Sequence, residues 1–374
     1  MAKYKIGWMP GDGVGVDVMD ATKVVLDKLG FDAEYIHGDI GWEIWRTEAN
    51  PLPDRTIEML KNVDAALFGA ITSLPKEEAE AALIPELQGK GHVYRSPIVR
   101  LRQTFDLSTN LRPCKAYTGN PLNFKDGLDL VVFRQNTEGL YAGVEYHPLP
   151  EDVRAKLTET HPAQMGRMAD VSSDDIAMSC RIFTRGACQA IVRDAFEYAK
   201  KFGYKSVTVV EKPNVVRETS GLMVREARKI AKDYPGIELW ETNIDAMCMW
   251  LVKNPEDYGV LVASNMFGDI ISDLCAQLVG GLGFACSGNI GDEVAVFEPT
   301  HGSAPKYADL DPSIVNPIAM VLSAVMMLDW LGETETANLP GPAGKHPFFP
   351  GKMPPGSGSA AGLPYSGIRP AGPG

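Results

Sequence analysis

The chain has 374 residues, of which 45% are hydrophobic, and its net charge is −12. This length favours two domains over one and allows a substantial core. The acidic balance argues against nucleic acid or an anionic membrane surface as partner, because both would repel the protein. The sequence shows neither an apolar run long enough to span a bilayer nor a signal peptide, so we expect a cytoplasmic protein without membrane contact.

Short apolar runs alternate with helical patterns along most of the chain. This alternation predicts an α/β fold with a largely parallel sheet. The expected strands are 4–9, 65–68, 128–133, 206–210 and 260–262, and the expected helices are 16–29, 54–61 and 183–202.

The C-terminal segment differs in composition from everything before it. Half of residues 339–374 are Gly or Pro. At that density these residues sustain neither a helix nor a central strand. We therefore expect a disordered tail from residue 339 onward.

The first strand-to-helix turn is rich in glycine. Gly11, Gly13 and Gly15 suggest a dinucleotide fingerprint, but that motif needs a further glycine where Val16 stands. The residues therefore favour a tight turn over a Rossmann cofactor site.

Three arginines could supply the basic cluster that an acidic protein needs in order to bind a polyanion. Arg102, Arg112 and Arg134 lie in separate segments. Guanidinium groups pair with carboxylates through two parallel hydrogen bonds and stay charged. Taken singly, each arginine is better explained as a surface ion pair.

Two aspartates stand four residues apart at the start of an apolar helical pattern. Asp269 and Asp273 would project from one helix face, where two like charges repel each other. A divalent cation prefers oxygen ligands and would reverse that penalty. The pair alone leaves both a metal site and a solvated face open.

Together with other segments, these residues resemble the isocitrate and isopropylmalate dehydrogenase family, the metal-dependent β-decarboxylating dehydrogenases. The matching motifs occur in the family's order: Gly11-Asp12-Gly13-Val14-Gly15, Leu101-Arg102, Asn110-Leu111-Arg112-Pro113, Phe133-Arg134-Gln135-Asn136-Thr137-Glu138-Gly139-Leu140-Tyr141, Lys212-Pro213-Asn214, Asn243-Ile244-Asp245-Ala246, Asn265 to Asp273, Glu298 to Pro305 and Asn316-Pro317-Ile318-Ala319.

The resemblance implies a two-domain α/β fold with a mixed, largely parallel sheet that is not a Rossmann dinucleotide fold. The large domain would be discontinuous, from residues 1–107 and 280–338. Residues 108–279 would form a small domain with the dimer interface. We therefore expect a homodimer with shared active sites.

The resemblance also assigns roles to individual residues. Substrate carboxylates would bind to the three arginines, and Mg²⁺ or Mn²⁺ would bind to Asp245, Asp269 and Asp273. Tyr141 and Lys212 would transfer protons, which requires their pKa values to fall from about 10. Lys212 and Asp245 would come from the second subunit.

The cofactor implied by the resemblance is NADP, with NAD as the alternative. A Lys-Tyr pair at 306–307 resembles the NADP-dependent bacterial isocitrate dehydrogenases, and a cation suits a 2′-phosphate. The implied cofactor-binding residues are Thr72, Asn214, His301, Gly302, Ser303, Ala304, Lys306, Tyr307, Val315 and Asn316.

The implied substrate is a small tricarboxylate-type acid, with isocitrate first. Ser96 matches a serine that isocitrate dehydrogenases use, whereas Ile98 replaces their usual asparagine. Homoisocitrate and 3-isopropylmalate are the alternatives. A non-catalytic regulatory subunit is the alternative of another class.

Overall fold

The computed structural model describes residues 2–308, 310–311 and 313–333. The predicted tail at 339–374 lies outside these residues. The strands are β1 (Tyr4–Gly11), β2 (Ala33–His37), β3 (Ala65–Ala70), β4 (Thr109–Lys115), β5 (Asp129–Gln135), β6 (Glu145–Tyr146), β7 (Met178–Ser179), β8 (Ser206–Glu211), β9 (Glu238–Asn243), β10 (Val260–Ala263), β11 (Cys286–Ile290) and β12 (Ala295–Pro299).

The α-helices are α1 (Val14–Lys28), α2 (Trp42–Glu48), α3 (Asp54–Leu60), α4 (Lys76–Ala81), α5 (Pro97–Thr104), α6 (Glu151–Thr160), α7 (Pro162–Met165), α8 (Arg185–Phe202), α9 (Thr219–Ile230), α10 (Ile244–Lys253), α11 (Asn265–Leu278) and α12 (Ile318–Trp330). Every strand and helix predicted from the sequence is present, with ends that differ by at most two residues.

Ten strands form one mixed sheet in the order β2-β1-β3-β12-β11-β4-β5-β10-β8-β9. Antiparallel pairing joins β12 to β11, β11 to β4 and β4 to β5, and the other neighbours are parallel. The predicted mixed, largely parallel α/β sheet is thereby confirmed. Strands from 1–107 and 280–338 occupy one half of the sheet and those from 108–279 the other; the division into two domains stays a prediction.

Helices cover both faces of the sheet. Alternate residues of β5 pack against different helices on the two faces. Val131 and Phe133 point into one apolar cluster with residues of α8 and α9. Leu130 and Val132 point into another, with residues of α10 and α11. Successive strand residues face opposite sides of a sheet, so a strand buried on both sides is apolar throughout.

The same period places two of the arginines. Arg112 on β4 pairs with Val132, and Asn110 pairs with Arg134 on β5. Residues opposite each other on antiparallel strands share a face. Arg112 and Arg134 therefore lie together on the face that α11 covers, which is the helix with Asp269.

Candidate active site

The three predicted substrate arginines converge on one cavity of about 260 Å³. All three are buried, with 6%, 6% and 1% of Arg102, Arg112 and Arg134 exposed. Tyr141, Asp269 and Ser96 line the same cavity, together with Ile98 and Val99. Three buried guanidinium groups around so small a space make a site for a ligand with more than one carboxylate.

Each arginine is held by buried polar partners. Arg134 donates from Nε to Asn265 Oδ1 at 2.9 Å and also pairs with Asp269. Arg112 donates to Ser272 Oγ at 2.7 Å. Arg102 pairs with the carboxylate of Glu298 at 2.9 Å. Because buried charges are costly unless paired, these contacts hold the guanidinium groups in place.

The two aspartates of α11 project from one face, as their spacing predicted. Nη1 of Arg112 lies 3.2 Å from Oδ1 of Asp269 and 3.6 Å from Oδ1 of Asp273. The hydroxyl of Tyr141 donates to Asp269 Oδ2 at 2.6 Å. The two carboxylates thus converge on a single cationic atom, beside the phenol.

The charges around α11 shift the pKa of each acid differently. Burial acts to raise the pKa of Asp269, but Arg134 and Arg112 outweigh it and the pKa is lowered. Burial raises the pKa of Asp273. Burial, followed by the hydrogen bond to Asp269, also raises the pKa of Tyr141. The last shift is opposite to the direction that the sequence led us to expect.

Lys212 and Asp245 lie apart from this cavity. Lys212 follows the end of β8, Asp245 stands in the first turn of α10, and the two side chains form an ion pair. The Asp245 side chain is 67% exposed. Among the residues that the structure describes, no three His, Cys, Asp or Glu side chains are grouped to hold a metal. One copy of the chain therefore does not bring Asp245 to Asp269 and Asp273.

A second, larger cleft of about 480 Å³ adjoins the cavity. Its lining includes six predicted cofactor residues: His301, Gly302, Ala304, Tyr307, Val315 and Asn316. His301 and Gly302 line both spaces. A ligand in the cleft and a ligand in the cavity would therefore meet at His301, whose pKa is lowered by burial.

The remaining cofactor predictions fall around or away from this cleft. The hydroxyls of Thr72 and Ser303 bond each other at 2.6 Å. The Lys306 ammonium lies 4.6 Å from the centre of the Tyr307 ring, at an exposed turn. Asn214 is exposed in the turn after β8, beside Lys212. Asn214 therefore lies beside the Lys212–Asp245 pair and does not line the cleft.

Sequence reasoning missed several residues that build the site. Asn265 and Glu298 stand inside motifs that carried the resemblance, yet they were given no role. Asp12 accepts hydrogen bonds from the backbone of Trp42 and Thr72 at 2.8 and 2.9 Å, which ties loops together beside the cleft. The sequence could have indicated these residues only as polar side chains near the ends of buried strands. Their hydrogen-bond partners are too distant in sequence to be predicted from it.

The mixed sheet, the arginine-lined cavity and the adjoining cleft define an α/β protein with a small basic cavity beside a larger, more apolar cleft. A profile described as isocitrate/isopropylmalate dehydrogenase matches residues 5–343. The chain therefore belongs to the isocitrate/isopropylmalate dehydrogenase family. This is a family of oxidoreductases, the metal-dependent β-decarboxylating dehydrogenases, which use NAD(P) and a divalent metal.

Individual proteins similar to this chain support the family assignment. Protein DlpA of Legionella pneumophila is 38% identical over 335 residues, which cover 89% of this chain and 52% of that protein, so the chain spans about half its length. A 3-isopropylmalate dehydrogenase of Methanothermobacter thermautotrophicus is 39% identical over 337 residues, covering 90% and 88%. The crystal structure of isocitrate dehydrogenase from Methylococcus capsulatus matches with a TM-score of 0.76 and 36% identity, covering 89% and 87%.

Proposed function

We propose that this protein oxidises and decarboxylates a 2-hydroxy acid that bears a β-carboxylate, with isocitrate as the first candidate substrate. The observation that carries the proposal is the convergence of Arg102, Arg112 and Arg134 on one cavity that also holds Tyr141 and Asp269. The presence of all these groups in one buried site supports a catalytic protein over a regulatory subunit.

The arginines bind and orient the substrate. Their guanidinium groups neutralise its carboxylates, and their buried partners limit rotation, so the reacting carbon is positioned before chemistry begins. The β-carboxylate leaves as CO₂, and Tyr141 returns a proton to the carbon that carried it. The phenol suits this role because its hydroxyl is inside the cavity.

The residues present fit a hard divalent cation. Asp269 and Asp273 would supply oxygen ligands, and the approach of both carboxylates to Nη1 of Arg112 supports a shared cation site. When bound there, Mg²⁺ or Mn²⁺ would polarise the substrate hydroxyl and stabilise the charge that develops on that oxygen.

The site would be completed by a second copy of the chain. Lys212 and Asp245 form a pair on the surface, and family members are typically dimeric. In a homodimer with shared active sites, Asp245 adds a third carboxylate to the cation site. Lys212 takes up the proton of the substrate hydroxyl.

No helix in the described part of the chain is long and apolar enough to cross a membrane.

The larger cleft would hold the nicotinamide cofactor, which would supply the hydride acceptor. Its apolar walls, including Val315, suit a ring system, and His301 stands at the boundary with the cavity. Tyr307 lines the cleft, and Lys306 precedes it at the same exposed turn. A cation there favours NADP over NAD, because it pairs with the 2′-phosphate.

The cavity wall that would contact the third substituent of the substrate combines polar and apolar side chains. Ser96 offers a hydroxyl that can donate to the third carboxylate of isocitrate. Ile98 and Val99, beside it, offer apolar contact. These two residues support 3-isopropylmalate as the second candidate, because an isopropyl group gains from apolar burial.

Steady-state kinetics of the purified protein test the proposal. The substrates are isocitrate, homoisocitrate, 3-isopropylmalate and malate, each with NADP or NAD and with Mg²⁺ or Mn²⁺. We expect the highest kcat/KM with isocitrate and NADP, and loss of turnover with a chelator. Ser96→Ala should then raise KM for isocitrate more than KM for 3-isopropylmalate. Absence of turnover with all four acids would contradict the proposed activity.

A further inference from the structure

Asn289, in the middle of β11, makes five side-chain hydrogen bonds next to the arginine-lined cavity. Its side chain is 0% exposed, so no ligand in the cavity can touch it. It stands where the sheet changes direction, paired with Asn110 on β4 and Val296 on β12. An amide in such a place needs partners for its carbonyl and for both N–H groups.

The carbonyl oxygen of Asn289 accepts three hydrogen bonds. They come from Arg102 Nε at 2.9 Å, Asn110 Nδ2 at 3.0 Å and Asn136 Nδ2 at 2.9 Å. The Asn289 amide nitrogen donates to Glu298 Oε1 at 2.8 Å and to the carbonyl of Val296 at 3.2 Å. All of the hydrogen-bonding capacity of this amide is in use.

These bonds lead to two of the three substrate arginines. Arg102 is bonded directly, and its other partner, Glu298, is bonded by the same amide. Arg112 is bonded indirectly, because its Nε donates to the carbonyl oxygen of Asn110. One side chain therefore links α5, β4 and β12.

We propose that Asn289 is a positioning residue for substrate binding, which sets the orientation of Arg102 directly and of Arg112 through Asn110. The inference rests on the proposed function, because it assumes that these arginines bind the acid. Asn289 acts only through other side chains and does not take part in the chemistry.

An amide is the group that this position requires. Its oxygen faces the cationic Arg102, so it must accept, and its nitrogen faces the carboxylate of Glu298, so it must donate. A carboxylate here would set an anion against Glu298. A serine hydroxyl is too short to reach both partners.

The first test is binding of the preferred acid by calorimetry, in the presence of Mn²⁺, to the full-length wild type and to Asn289→Ser. The substitution removes the acceptor of Arg102 Nε and leaves only Glu298 to hold this side chain. We expect the acid to bind about 10- to 100-fold more weakly. NADP binding without the acid should change less than about twofold, because neither Asn289 nor the side chains it bonds line the cleft. A change of equal size for both ligands would overturn the positioning role.

The second test is the isosteric variant Asn289→Asp, whose binding should depend on pH. At high pH its carboxylate repels Glu298, so acid binding should be weak. At low pH a shared proton restores a donor toward Glu298 and affinity should approach that of the wild type. The ratio of the variant's affinity to the wild-type affinity should therefore rise as pH falls. A ratio that stays flat with pH would contradict the inference.

The matched control is Asn123→Asp, outside the site. The Asn123 amide also donates to a carbonyl, of Tyr117 at 2.9 Å, and to a carboxylate, of Asp126 at 3.1 Å. We expect this variant to bind the acid as the wild type does at every pH. If the wild type binds none of the candidate acids, both the function and the inference fail. If the wild type and Asn289→Ser bind the acid equally, only the inference fails.

Discussion

The arginine-lined cavity and the Lys212–Asp245 pair are two regions built in opposite ways. The arginines are buried and bonded to partners from α11, β4, β11 and β12. Lys212 and Asp245 contact each other across the surface, and the Asp245 side chain is 67% exposed. One part of the site is therefore organised by the fold of a single chain. By our proposal, the other part is completed by a second copy.

The largest expected effect is at the centre of the organised region. Asp269→Asn removes a charge that Arg134, Arg112 and the cation would share. We expect kcat to fall by about 10³-fold, since the loss of such a contact weakens stabilisation of the developing charge by several kcal/mol. Assays with Mn²⁺, and circular dichroism to verify folding, measure this effect.

The same type of substitution, made far from the site, serves as the control for Asp269→Asn. Asp20→Asn, on the exposed face of α1, makes the same chemical substitution and should leave kcat unchanged. Near-full activity in the Asp269 variant would show that the metal assignment is wrong.

The second prediction concerns whether Lys212 and Asp245 act in the active site of the other subunit. Lys212→Ala and Tyr141→Phe should each be inactive alone. After mixing and subunit exchange, one site in each heterodimer would carry both defects and the other neither. Activity should recover to about one quarter of wild type, because half of the dimers would be mixed with one intact site each.

This prediction separates the two regions directly. If subunit exchange is demonstrated by labelled chains and activity still does not return, Lys212 and Tyr141 belong to the same subunit's site. The contrast between the two regions would then have another explanation.

The third effect concerns the exposed turn on the cofactor cleft. Lys306→Asp combined with Tyr307→Ile should shift the NADP-to-NAD preference in kcat/KM by about 10- to 100-fold, since one charged contact is lost. The shift should appear in KM for the cofactor, because the 2′-phosphate is bound equally before and during hydride transfer. A preference for NAD in the wild type, unchanged by the substitutions, would contradict the assignment.

The smallest effect on activity is expected from a buried acid outside the site. Burial raises the pKa of Asp194 to about 6 from 3.8, with the hydroxyl of Thr109 opposing. The folded state thus binds this proton more tightly than the unfolded state does. Its contribution to stability is lost as pH rises through that interval, by up to about 3 kcal/mol.

Asp194→Asn should remove this dependence, so the variant should gain stability over the wild type at pH 8 but not at pH 4. Urea unfolding at both pH values measures the difference, and kcat should stay unchanged. Equal stability differences at the two pH values would show that Asp194 does not titrate in this range.

The α/β class, the positions of several strands and helices, and the residue types of the site follow from the sequence. Short apolar runs and helical periodicity are local, so they predicted β5 and α8 within two residues. The spacing of Asp269 and Asp273 placed both on one helix face for the same reason. The family resemblance supplied the arginines.

Only the tertiary structure decided how these pieces meet. The bond between Asn289 and Arg102 joins residues 187 positions apart, and no periodicity reports such a contact. The raised pKa of Tyr141 likewise depends on burial, which arises from packing and not from neighbouring residues in the chain. Local patterns encode elements, whereas side-chain partners and local electrostatics are set when distant strands and helices pack together.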